Sequence, residues 1–89
     1  MANHKSAEKR HRQSEKRRLQ NQAVRSRMRS TVKKFLSALD SGDRDTATQS
    51  FRDAERVLRK AATKGVIPKQ RAGRQVGRLA RRLESLRSS

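Results

Sequence analysis

Apolar residues in this chain recur at helical spacing, and they do so in three separate runs. Val24, Met28, Val32, Phe35 and Leu39 follow at steps of 4, 4, 3 and 4; Ala47, Phe51, Ala54, Leu58 and Ala61 at 4, 3, 4 and 3; Ala72, Val76, Leu79, Leu83 and Leu86 again at 4, 3, 4 and 3. Each run places its members on one face of a 3.6-residue helix, and no stretch alternates as a strand would. The breaks between runs carry stop and start signals. Ser41-Gly42-Asp43 supplies a glycine for the left-handed residue after a helix and an aspartate to cap the next. Lys64-Gly65 closes the second run, and Pro68 marks the start of the third. The pattern predicts helices over about 6–40, 44–63 and 69–86, joined by short turns. The fold class is all-α, an antiparallel three-helix bundle in a single domain over 1–89.

The first helix is longer than its stripe. Between Met1 and Leu19 no apolar side chain is larger than alanine, and neither glycine nor proline interrupts HKSAEKRHRQSEKRRLQ at 4–20. A helix of about 35 residues runs roughly 50 Å, and helices nearer 20 residues can cover only its second half. The first half therefore projects, with nothing apolar to pack against protein. Left alone, residues from about Ala2 to Gln20 are expected to be disordered, because like charges repel and no packing offsets the cost of helix formation.

Composition sharpens this picture. Of 89 residues, 25 are Lys or Arg and only 8 Asp or Glu, a net charge of +17. Leu, Ile, Val and Phe together number 15, so the core is lean and stability without a partner marginal. The charge divides as +10 over residues 1–39, −3 over 40–55 and +10 over 56–89: two basic arms flank a short acidic hinge. Solvation alone would be served as well by balanced Lys and Glu, so a one-signed excess points to a polyanionic partner. An anionic membrane would call for an apolar run or an apolar face edged by Trp or Tyr; both residues are absent. Residues 2–18 also lack the apolar core of a signal peptide. Nucleic acid remains.

Around an ideal first helix, Lys5, Lys9, Arg12, Lys16, Arg27 and Lys34 fall within a sector of about 60°, while Arg10, Arg17, Arg18 and Arg25 point elsewhere. The projecting half is thus positive nearly all round, a shape suited to insertion between phosphate strands. Helix three carries Arg71, Arg74, Arg78, Arg81 and Arg82 in a stripe beside its apolar face. Arginine outnumbers lysine 17 to 8, which favours bidentate phosphate contacts. Phe35 and Phe51, the two aromatic residues, both lie in apolar stripes, leaving no platform for single-stranded bases. Zinc-finger spacing is missing, KGVIPKQ at 64–70 is a poor helix-turn-helix turn, and the stripe after the basic half is too short for a zipper. Reading of shape and backbone is left, the common mode for folded RNA. A histone-like DNA-compacting protein is the rival class, and a membrane-active cationic peptide a third.

These residues also resemble a known family. MANHKSAEKR at 1–10, QSEK at 13–16, Asn21, RSRMRSTVKK at 25–34, SGD at 41–43, AATKGVIPK at 61–69 and RAGR through RLARRL are similar, in order and spacing, to the bacterial small-subunit ribosomal protein twenty family. The resemblance implies a three-helix bundle whose long first helix enters small-subunit ribosomal RNA (rRNA), bound directly and early in assembly. It implies a cytoplasmic, ribosome-bound protein with other small-subunit proteins as neighbours and no homo-oligomer. Carried over by position, it marks Asn3, Lys5, Ser6, Lys9, Arg10, Arg18, Asn21, Arg25, Ser26, Arg29, Lys33, Lys34, Lys64 and Lys69 as RNA-binding. The charge pattern adds Arg12, Lys16, Arg17, Arg71, Arg74 and Arg78. The chain departs from the family at His4 (usually aliphatic), Glu8 (usually basic or polar), Pro68 (often histidine), and Gly73 and Gly77 (usually alanine-like or small polar).

No catalytic constellation is present. His4 and His11 stand seven apart with no cysteine, outside metal-ligand spacings. DSGDRD at 40–45 lacks the length and terminal glutamate of a calcium loop and reads as a turn plus cap. With no phosphate-cradling glycine loop and no nucleophile motif, the chain is expected to be no enzyme and to need no metal or cofactor.

Overall fold

A computed structural model describes residues 3–88, with side chains from Lys5 onward. Three helices account for nearly all of it: α1 (Asn3–Ser41), α2 (Arg44–Thr63) and α3 (Lys69–Ser88). The boundaries have local causes. Gly42 takes φ +77°, and its N–H donates to the Leu39 carbonyl at 3.1 Å. Asp43 then caps α2: its Oδ1 accepts from the N–H groups of Asp45 (3.1 Å) and Thr46 (3.3 Å), while the Thr46 hydroxyl donates to Oδ2 at 2.7 Å. At the far end of α2, Gly65 takes φ +79°. Its N–H donates to Ala62 and that of Val66 to Ala61, at 3.0 and 2.9 Å. This paired 5→2 and 6→1 arrangement satisfies carbonyls the helix end would leave open. The Pro68 carbonyl accepts the first bond of α3 from Ala72, at 3.1 Å.

The three stripes meet in one core. Buried are Met28, Phe35 and Ala38 from α1, Ala47, Ala54, Leu58 and Ala61 from α2, Ile67 from the turn, and Ala72, Val76, Leu79 and Leu83 from α3. Half-buried Val24, Val32, Leu36, Leu39, Phe51, Val57, Val66 and Leu86 pack around them. Phe35 and Phe51 meet with ring centroids 5.8 Å apart and planes tilted by 56°, a geometry that contributes about 0.5–1.5 kcal/mol beyond burial. Ala38 and Ile67 lie outside the periodic stripes, yet both are buried.

Two features set the overall shape. α2 packs against both neighbours, whereas α1 and α3 touch at few points. The helices run up, down and up, with α2 between two flanking helices that run in the same direction. And α1, at 39 residues, is about 58 Å long, so it outreaches its partners. The Cα extents are 68 × 22 × 13 Å, with a radius of gyration of 17.9 Å, where a compact chain of this length has about 12 Å. The molecule is a flat, elongated body with an arm.

In the structure α1 is continuous from Asn3 through the arm into its packed half. The reason is local: the segment has no breaker and consists of good helix formers, and a helix already nucleated by packing at Val24–Leu39 extends at little cost per residue. One exposed i,i+3 pair, Arg18 to Glu15 at 2.9 Å, adds little.

Candidate nucleic-acid interface

From Lys5 to Gln20 every residue is exposed except Glu15, which is partly covered beside its ion-pair partner Arg18. Asn21 and Val24 are half-buried, and both line a depression with Gln20, Arg27, Lys64 and Val66. The arm therefore ends where the core begins. Lys5, Ser6, Lys9, Arg10, Arg12, Lys16, Arg17 and Arg18 all sit on it and all face solvent. The side chain of Asn3 lies outside the described residues. Leu19, 57% exposed, is the one large apolar side chain on the arm.

The remaining expected residues divide among surfaces of the bundle. Arg25, Ser26, Arg29 and Lys33 of α1 and Arg71 of α3 come together across a groove of about 880 Å³, with Val66 and Ile67 at its end. Asn21 and Lys64 meet at the joint between arm and bundle. Lys34 is on the other side of α1, beside Arg27, Asp53, Arg56 and Lys60. Lys69 is exposed at the start of α3, and Arg74 and Arg78 are exposed further along it. So the twenty candidates form no single patch: an all-round basic arm leads into a bundle with basic residues on more than one side.

Sequence reasoning passed over Gln75 in the first groove and Arg56 and Lys60 in the second. Arg27 had been placed in the basic sector of α1 but not among the candidates. The signal for Arg56 and Lys60 lay in which side of α2 meets α1, and periodicity within one helix does not carry it. The two phenyl rings are spent on each other in the core, so the exposed surface offers guanidinium, ammonium, amide and hydroxyl donors. No group of three His, Cys, Asp or Glu side chains that could hold a metal occurs among the described residues. No described helix is long and apolar enough to cross a membrane.

Comparison with known proteins places this geometry. The family model for ribosomal protein S20 matches residues 2–84. The chain belongs to the ribosomal protein S20 family. Relatives include the small ribosomal subunit protein bS20 of Maridesulfovibrio salexigens, 49% identical over 90% of this chain and 92% of the relative. Those of Desulfotalea psychrophila and Shewanella woodyi are 43% and 49% identical, over 97% of this chain and 97–98% of theirs. The matched residues span arm and bundle together. It is a family of ribosomal structural proteins, not of enzymes.

Proposed function

We propose that this protein is a structural constituent of the bacterial small ribosomal subunit, acting as a single rRNA-binding domain. Its arm enters small-subunit rRNA and neutralises phosphates from several sides, while the bundle fixes the arm's direction. The observation that carries this reading is the arm itself: some 16 residues of continuous helix, exposed nearly throughout and with one large apolar side chain, Leu19. A surface of that kind gains nothing from protein packing and a great deal from counterion release on a polyanion. The site residues are Asn3, Lys5, Ser6, Lys9, Arg10, Arg12, Lys16, Arg17, Arg18 and Asn21 along the arm, with Arg25, Ser26, Arg29, Lys33, Lys34, Lys64, Lys69, Arg71, Arg74 and Arg78 on the bundle. The protein works in the cytoplasm, bound to the ribosome, with other small-subunit proteins as neighbours.

Two measurements test this. Tagged protein should co-sediment with small ribosomal subunits and not with nucleoid DNA. Binding to small-subunit rRNA should be steeply salt dependent: with roughly eight phosphates neutralised, log affinity falls against log salt with a slope of about −6 to −7. A slope shallower than about −3 would leave most of the positive charge unengaged and contradict a phosphate-dominated mode.

A further inference from the structure

α1 and α3 flank α2 and barely touch each other, so a groove is left between them. Its α1 wall holds Arg25, Arg29 and Lys33, at steps of four, which spaces the charges about 6 Å apart along the axis. Its α3 wall starts with Arg71 and Gln75, and Arg78 and Arg82, at further steps of three and four, continue the same side of that helix. All these cations are exposed. Among the described residues no acidic side chain lines the stretch between residues 25–33 of α1 and 71–75 of α3; Asp40 follows Lys33 on α1 at a step of seven. Met28 and Val32 of α1 contribute apolar lining between the walls, with Val66 and Ile67 at one end.

Like charges facing each other across an open groove repel, and an apolar lining lowers the local dielectric and magnifies that repulsion. The same arrangement is favourable as soon as a line of negative charge lies between the walls. We infer that one phosphodiester strand of the rRNA runs along this groove, held from both sides by α1 and α3, and so supplies the link between these helices that protein packing omits. The proposal rests on the rRNA-binding reading above and goes beyond it. The arm can engage RNA without the bundle's second wall, whereas here two helices distant in sequence grip the same strand. Charge complementarity favours RNA over an acidic peptide, because on the α3 wall the cations continue through Arg78 and Arg82 past the short apolar stretch, where a strand of regularly spaced charges can use them and an amphipathic helix cannot.

The chain has no cysteine, so Ser30→Cys on one wall and Gln75→Cys on the other each create a unique attachment point. An iron chelate tethered at either position, in full-length protein bound to small-subunit rRNA, cuts the RNA strand nearest to it. The expected result is that both tethers cut one and the same stretch of rRNA, within a few nucleotides of each other. Cuts on unrelated stretches, or none from either tether on bound rRNA, would overturn the proposal and leave the rRNA-binding reading standing. Failure of the unlabelled protein to bind rRNA would sink both. Should a label itself abolish binding, unlabelled charge variants decide: Arg25→Gln with Arg29→Gln on one wall, Arg71→Gln with Arg78→Gln on the other, and all four together. A shared strand makes the combined loss of affinity smaller than the product of the two separate losses. Losses that simply multiply, as for independent sites, would overturn the proposal.

Discussion

Asp43 caps α2 through Oδ1 while Oδ2 accepts from the Thr46 hydroxyl, and the hydrogen bond from that hydroxyl, followed by that from the Thr46 N–H, holds its pKa below the ordinary carboxylate range. A group whose folded-state pKa is depressed lends stability that is present above its unfolded pKa and disappears as pH falls through the folded one. Asp43→Asn should therefore lower the unfolding temperature at neutral pH, and the difference from the parent should shrink as pH is taken down below the usual carboxylate range; thermal unfolding across that range checks it. Gly73 and Gly77 invite the opposite kind of change. Neither has positive φ, and a Cβ at either would meet nothing within 4 Å, so α1 does not make a close approach there. Gly73→Ala and Gly77→Ala should each stabilise α3 by about 1 kcal/mol and leave rRNA affinity unchanged. A loss of affinity on the added methyl would instead place an RNA backbone against that strip.

At the scale of the elements, each helix combines a packing face with a charged remainder, and the core is small enough that single side chains count. Phe35 is fully buried against Phe51. Phe35→Ala should cost roughly 3–5 kcal/mol, enough to unfold much of so lean a bundle, with rRNA restoring part of the fold by binding it selectively; circular dichroism with and without rRNA measures both effects. The three stripes and both turns were legible because they rest on local chemistry: apolar spacing, two glycines in the left-handed region, one aspartate cap. Ala38 and Ile67 were not. An alanine off the stripe serves equally as helix filler or core, and Ile67 lies in a turn, where periodicity has no meaning. Nor could spacing show that α3 packs on α2 and leaves α1 largely free, since a stripe reveals that a face is buried without revealing its partner. That is why the arginines of α3 and α1 were legible as separate stripes and not as opposite walls of one groove.

The whole molecule is an anchor with a handle. The bundle aims α1, and the arm extends beyond the last packed turn with cations on every side. We propose that this arm, useless to the protein's own packing, is the chief rRNA-binding element. The most direct test is the joint substitution Lys5→Gln, Lys9→Gln, Arg12→Gln and Lys16→Gln, read in parallel by rRNA affinity and thermal unfolding of the bundle. All four side chains are exposed and lie before the first packed residue, so unfolding should be unchanged. Affinity for small-subunit rRNA should fall by several kcal/mol, with each charge-assisted phosphate contact contributing roughly 1 kcal/mol or more. An affinity left untouched, or a bundle that unfolds, would contradict the account: the arm would then be a solvated tail in the first case and part of the packed fold in the second.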